Sequence, residues 1–402
     1  MDAPHKVYFS HVNVSNPRAI HPLFKDTLSN PPQGYVYINR EFFTSTNNTE
    51  TEKQSSIIRG LIGAARLMKR VTPLPTIWRI PMCACDLIHA SSHLAICDKP
   101  WVFDYEAVHC LTQFNPNHIK KPHVKAIVRR FLKSKNCKHL IAMSEVARKG
   151  FVHLFPDLAG KTSVVYPAPI ITEKMRAAYE QRIRNPKRAG DSVTFLFAAR
   201  YFRMKGGYET LEAFKQVHAK HPQARLIIAG GIPDELKDAE TEGVTFTGMV
   251  SREEMITKHY PAADVFVSPT FFDTFGYVIL EAMAFGMPCI STDDNVMPEI
   301  IDDGIDGILV PSYSHHLMDE NSIMRPEYMD FERLYQDTRP EFNRMAANIA
   351  KAMERVLDRP RLINAMGRAG FEKVSTGKFS AQERNKRLKS IYDKALGLNE
   401  QS

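Results

Sequence analysis

The chain is 402 residues long, and at roughly 150 residues per domain it reads as two or three compact units, with two the natural start. Its 44% hydrophobic and 24% charged residues, with 20 Gly and 25 Pro, are globular proportions that exclude collagen-like, repetitive and wholly disordered chains. The net charge of +8 is lopsided: residues 1–168 hold 22 Lys and Arg against 11 Asp and Glu, and the remainder is slightly acidic, so the front half presents a surface that attracts phosphates, whether in nucleic acid, anionic lipid or a soluble substrate.

In that half, short β-branched or aromatic runs predict strands at Val7–Phe9, Tyr35–Ile38, Thr76–Ile80, Asp86–His89, Trp101–Phe103, His139–Met143 and Ser163–Tyr166. Two amphipathic helices alternate with them. Ile58, Leu61, Ile62, Ala65 and Met68 form one stripe, flanked by Arg59, Arg66, Lys69 and Arg70; Val124, Ile127, Val128, Phe131 and Leu132 form the other. No acidic residue falls between Ala107 and Ser144, while Lys120, Lys121, Lys125, Arg129, Arg130, Lys133, Lys135 and Lys138 all do. Such helices ordinarily turn their stripe to their own core; docking on an anionic membrane surface is the functional alternative. After a polar helical stretch, the breaker-rich Arg184–Asp191 reads as a linker.

From Val193 the alternation sharpens. Strands are expected at Val193–Ala199, Ala224–Ala229, Val244–Thr247, Asp264–Ser268 and Pro288–Ser291, with helices from about Gly206, after Ser251 and after Phe275. This predicts a doubly wound parallel sheet whose ligands lie beyond the carboxyl ends of its strands. Pro311–Arg339, with His315-His316, has no clear pattern. Helices follow at about Glu341–Leu357 and Arg361–Val374, and a last one opens on Ser380-Ala381-Gln382-Glu383, a capping-box pattern.

No stretch approaches the ~18 apolar residues of a spanning helix, and Met1–His5 lacks the apolar core of a signal peptide. A cytoplasmic protein is expected, peripheral at the membrane if the basic helices dock. Asn13-Val14-Ser15 and Asn47-Asn48-Thr49 are then plain loop residues, although they match the glycosylation pattern. Of six Cys, five (Cys83, Cys85, Cys97, Cys110, Cys137) fall in the first third among His89, His93 and His109. The single-residue gap of Cys83-Ala84-Cys85 is not structural-zinc spacing, and no matched pair follows, so buried thiols beside strands are expected instead of a metal site.

Two segments carry chemistry. Ala198–Gly207 closes a strand and opens a helix, leaving Arg200 and Lys205 on the connection, where a planar fork and a mobile point charge can straddle a diphosphate and stabilise charge on a departing phosphate. Pro269–Pro288 repeats the design: amides around Thr274, Phe275, Gly276 and Tyr277 would be unpaired first-turn donors. Asp273 precedes the helix and Glu281 lies eight positions on, so both can project along one side to accept hydroxyl protons. The bland account is an N-cap and a surface glutamate. Asp293-Asp294 is not read as a metal motif.

The string from Asp273 to Pro288 resembles the signature of glycosyltransferase family 4: an acidic residue, seven residues, then Glu, within a run like E-x-F-G-x-x-x-x-E-A-M-A-x-G-x-P. Arg200 and Lys205 have the family's spacing, and similarity continues through Val244–Gly248, Ala263–Val267, Glu299–Gly304 and Gly307–Val310. The resemblance implies an α/β fold of two doubly wound Rossmann-like domains facing across a cleft, the GT-B fold. Residues 1–170 would form the acceptor domain, 171–191 a linker, 192–377 the nucleotide-sugar donor domain and 378–402 a crossover helix packing on the first domain. It implies a retaining hexosyltransferase that needs no cofactor and no metal. Arg200 and Lys205 would hold the diphosphate, Glu281 the ribose, Asp273 the sugar hydroxyls, and the backbone near Gly248 and Met249 the base. Asp273 stands where Glu is usual, Ala199 where Gly is usual, and the Gly-rich loop after the first strand is replaced by Ser10–Asn16. Glu106 occupies the place of the usual active-site His, with Asp104 an alternative carboxylate and His109 a fallback. The partners implied are a nucleotide-sugar donor and a sugar, lipid-linked or polysaccharide acceptor; nucleic acid is not expected. A nucleotide-sugar epimerase and a non-catalytic anionic-surface or nucleic-acid binder on a decayed transferase remain the alternatives.

Overall fold

The structure, a computed structural model, describes residues 3–11, 20–41, 73–80, 82–237, 240–312, 318–325 and 339–398, with 333, 336 and 337 besides. The stripe at 58–68, His315-His316 and both glycosylation patterns lie outside the described residues. The chain divides into two compact units. Unit 1 takes in Met1–Ala168, Asp319–Pro326 and Gln382–Ser402; unit 2 takes in Pro169–Met318 and Glu327–Ala381.

Unit 1 is built on a parallel sheet of β1 (His5–His11), β2 (Tyr35–Tyr37), β4 (Leu87–Ser91), β6 (Trp101–Tyr105), β7 (Cys137–Ala142) and β8 (Thr162–Val164), in the order β2-β1-β4-β6-β7-β8. All residues of β4 and β6 are buried, as strands covered on both faces must be. The run expected at 76–80 departs from this. β3 (Ile77–Arg79) pairs only with β5 (Leu94–Ile96), in a separate two-stranded ribbon. Its burial shows why: Ile77 and Trp78 are half-covered and Arg79 is exposed, a profile no central strand tolerates.

Helix α1 (Pro22–Ser29) follows β1, and α2 (Pro122–Leu132) carries the second amphipathic stripe, burying Val124, Val128 and Leu132. On its outer side Arg129 and Lys133 share Asp157, at 3.0 and 2.8 Å. The helix Ala381–Leu396 also belongs to unit 1. Its Tyr392 hydroxyl lies 2.8 Å from the Tyr37 hydroxyl and 2.6 Å from His89 Nδ1. Buried Arg384 donates to the carbonyls of Asn30 (2.9 Å) and Ala168 (3.2 Å), so its guanidinium is solvated by backbone instead of water. Glu383 pairs with Arg387 at 2.9 Å.

Unit 2 holds β9 (Thr194–Ala199), β10 (Arg225–Gly230), β11 (Val244–Gly248), β12 (Val265–Ser268), β13 (Cys289–Thr292) and β14 (Gly307–Val310), all parallel, in the order β11-β10-β9-β12-β13-β14. Counted along the chain this is the dinucleotide-fold order 3-2-1-4-5-6, which places a ligand crevice beyond the carboxyl ends of β9 and β12. β14 adds a strand to the five that periodicity indicates. Residues 171–191 are not an open linker: helix α3 (Glu173–Arg184) packs within unit 2. Tyr179 stacks on Phe371 with ring centroids 3.7 Å apart, and Arg182 donates to the Tyr260 carbonyl at 2.8 Å. Met175, Tyr179 and Arg182 share one face at helical spacing, a stripe too mixed in polarity to read from hydrophobicity. Gly286 accommodates it: φ is +69°, and a Cβ there would lie 2.6 Å from the Tyr179 ring.

Candidate active site

The loops after β9 and β12 meet because glycine lets them. Gly206, at φ +74°, opens helix α4 (Gly207–His218), and a Cβ on it would sit 2.3 Å from the Pro269 carbonyl oxygen. No other residue fits without parting the loops. The Phe271 amide donates to the Met204 carbonyl at 3.0 Å, tying them further. Lys205 Nζ then reaches across, 2.6 Å from Asp273 Oδ2 and 2.7 Å from the Phe272 carbonyl. Arg200, first after β9, is exposed, its guanidinium 5.8 Å from the Tyr201 ring centroid.

Asp273 is used differently from the sequence-based expectation. Its Oδ1 accepts from the amides of Gly276 (2.8 Å) and Phe275 (3.2 Å), so two of the donors expected to await a phosphate are already capped. Asn295 Nδ2 donates to its carbonyl. Burial alone would raise the Asp273 carboxyl, but Lys205 and those two amides outweigh it and hold it below the usual carboxylate range. A carboxylate one methylene shorter than the usual Glu stays with the turn and the lysine. Gly276, at φ +78°, leads into helix α5 (Tyr277–Ala284). Buried Glu281 lies on that helix, with Oε1 2.8 Å from Arg252 Nε and Oε2 3.4 Å from the Tyr260 hydroxyl. The two carboxylates thus have separate cationic partners. Gly248 ends β11 at φ +70° and Met249 is 65% exposed beyond it. Asp293 Oδ1 accepts from the Ser312 amide at 2.7 Å, a loop-forming role.

Sequence reasoning missed Arg252, Tyr260 and Asn295. Arg252 stands at a helix start capped by Ser251 Oγ, which accepts from the Glu254 amide at 3.0 Å. Beside Glu253 and Glu254 it reads as an ordinary surface charge, and only the fold brings it to Glu281.

In unit 1, Glu106 follows the end of β6 and is half-buried. Asp104 turns inward, with Oδ2 3.0 Å from His89 Nε2. His109, the fallback, is buried against Phe114, and neither ring nitrogen has a partner among the described residues. Burial, helped by the Lys120 charge, lowers its pKa to about 4, so it packs as a neutral ring.

Glu209, in the first turn of α4, is buried, and its Oε2 has no partner among the described residues. Burial raises its pKa from the usual 4.5 to about 7. The ionised form is therefore penalised: the contribution to stability is whole below pH 4.5 and is lost as pH rises through 7. Relative to Glu209→Gln, the parent should lose about 3 kcal/mol of stability between pH 5 and 8. Parallel pH profiles of Tm for the two proteins would show no such asymmetry if Glu209 were well solvated.

The sheet order thus puts a lysine and a capped helix start at its switch point, where doubly wound sheets bind their ligands. Residues 192–320 match the family described as glycosyl transferases group 1. The match covers the sheet of unit 2, and the two parallel six-stranded sheets have the GT-B fold. The chain is 26% identical to the putative glycosyltransferase YtcC of Bacillus subtilis over 65% of this chain and 61% of that protein. It is 27% identical to the alpha-monoglucosyldiacylglycerol synthase of Acholeplasma laidlawii over 49% of this chain and 51% of that one. The matches thus span less than two thirds of these relatives. Among solved structures, Anabaena HepE in complex with UDP and glucose superposes with a TM-score of 0.58 at 12% identity, covering 97% of this chain and 99% of that one.

Proposed function

We propose that the chain is a retaining hexosyltransferase, with a nucleotide-diphosphate sugar on unit 2 and the acceptor on unit 1. The observation that carries this is Lys205 meeting Asp273 where the loops after β9 and β12 touch, the crevice position of this sheet order. Arg200 and Lys205 would balance the diphosphate. As the bond from the sugar's anomeric carbon to the diphosphate oxygen breaks, the acceptor oxygen bonds to that carbon from the same face. The acceptor's proton passes to the departing phosphate. Glu281, oriented by Arg252, would accept from ribose hydroxyls, the backbone at Gly248 and Met249 would border the base, and Glu106 would serve the reacting sugar. HepE binds UDP and glucose, which makes uridine nucleotides the first donors to test. A thermal-shift panel of nucleotide sugars should give at least one stabilising donor, whose nucleoside diphosphate is released when an acceptor is supplied. Conversion of that donor to an epimer without acceptor would overturn the reading, and so would a silent panel.

For the acceptor we favour a lipid-linked one at an anionic surface. A relative is named for synthesis of a glucosylated diacylglycerol, and Lys121, Arg130, Lys135 and Lys138 are exposed on and beyond α2, while Arg129 and Lys133 are taken by Asp157. Among the described residues no helix is long and apolar enough to cross a membrane, so binding would be peripheral. At about 1 kcal/mol per basic residue near such a surface, changing Lys121, Arg130, Lys135 and Lys138 to Glu should reduce co-sedimentation with phosphatidylserine vesicles at least tenfold. Binding equal to the parent's would remove the lipid surface from the proposal.

A further inference from the structure

Cys83 and Cys85 lie on the segment leading into β4, with their sulfurs 3.0 Å apart. That is closer than the ~3.5 Å at which even carbon atoms rest in contact, and about 1 Å from disulfide bonding distance. Cys83 is half-exposed, whereas Cys85 is buried in the core of unit 1 with Ile80, Ile88 and Trp101. One sulfur therefore meets solvent while its neighbour waits beneath. Among the described residues no group of three or more His, Cys, Asp or Glu can hold a metal ion, which leaves the pair to thiol chemistry.

We propose that Cys83 and Cys85 are a peroxide-oxidisable pair that closes to a disulfide within one loop. The Cys83 thiolate attacks hydrogen peroxide: an S–O bond forms, the O–O bond breaks and hydroxide leaves, giving a sulfenic acid. Cys85 surrenders its proton to that hydroxide, giving the first water, and attacks the Cys83 sulfur, forming S–S and breaking S–O; the departing hydroxide takes up the proton that Cys83 released on ionising, giving the second. Two thiols and one peroxide become one disulfide and two waters. Burial, then the neighbouring Cys83, pushes the Cys85 thiol up to about 12, so Cys85 is the slow resolving partner and Cys83 the one that meets the oxidant. Cys97, the other half-exposed thiol, lies 3.6 Å from the Lys99 carbonyl and is pushed up to about 11, mainly by burial. The loop enters the amino end of β4, and Glu106 follows the carboxyl end of the parallel neighbour β6, so the mark forms at the opposite end of the sheet from Glu106.

The test uses the full chain treated with hydrogen peroxide, alkylated and cleaved before aspartates. Cleavage at Asp86 leaves Cys83 and Cys85 on one peptide and Cys97 on another. The expected result is a Cys83–Cys85 peptide lighter by two hydrogens, refractory to alkylation until treated with a dithiol reductant, in the parent and equally in Cys97→Ser. In Cys85→Ser, Cys83 should accumulate as a sulfenic acid trapped by dimedone. A cross-linked Cys83–Cys97 pair, Cys83 carried directly to sulfinic acid in the parent, or full alkylation of both cysteines after peroxide would each overturn the proposal. If Cys85→Ser does not fold, the parent and Cys97→Ser maps decide it.

Discussion

Lys205→Ala should lower turnover about 10²–10³-fold, the loss typical when one preorganised group facing a developing charge is removed. The cation is placed by three contacts that do not depend on substrate: Asp273 Oδ2, the Phe272 carbonyl, and the Gly206 turn that lets its loop reach Pro269. On the proposed function, little reorganisation is then needed to receive a diphosphate. The ammonium and the carboxylate are each only 17% exposed, so the substitution also leaves Asp273 short of a partner and should cost about 1–3 kcal/mol of stability. Asp273 keeps its two amide donors, which limits the damage to the turn. Single-turnover rates with saturating donor, paired with a thermal melt, separate the two effects. A variant within threefold of the parent in rate would show that Lys205 is structural only.

Glu281→Ala should weaken nucleotide-sugar affinity about 10–100-fold, or about 1.4–2.8 kcal/mol, with a smaller effect on turnover. Its carboxylate is fixed by Arg252 and Tyr260, so it presents a set geometry to a hydroxyl. Arg252→Ala leaves the carboxylate in place but unsteered, and should raise KM for the donor while kcat holds, as loss of uniform binding does. Calorimetric titration with the donor identified by thermal shift supplies the number; unchanged affinity in Glu281→Ala would transfer ribose recognition elsewhere.

What the sequence made legible was periodic and local. The strands of unit 2 and the helix starts after Gly206 and Gly276 follow from alternating polarity, breakers and caps, and these also carry Arg200, Lys205, Asp273 and Glu281. The contacts that hold Lys205, Asp273 and Glu281 were not legible, because they join separate loops: Lys205 to Asp273 across 68 residues, Arg252 to Glu281 across 29. Asp273 shows the limit well. Its one-methylene shortening was plain in the sequence, but its engagement with two amides and a lysine needed the turn itself. The three-residue β5 escaped where the equally short β2, β3 and β8 did not, because Leu94-Ala95-Ile96 has no aromatic and a single β-branched residue; α3 was read as a polar helical stretch, but its packing was not, because its packing face includes an arginine satisfied by backbone carbonyls.

The return of the helix Ala381–Leu396 to unit 1 has a consequence for biosynthesis. Tyr392 meets His89 across 303 residues of chain, and Arg384 meets the Ala168 carbonyl across 216. A ribosome therefore finishes nearly all of unit 2 before it delivers the side chains that close the first sheet. In the interval, the nascent first unit must wait with an aromatic seat and a set of carbonyl acceptors empty, a window in which chaperone capture or proteolytic nicking should concentrate on the earlier-made half.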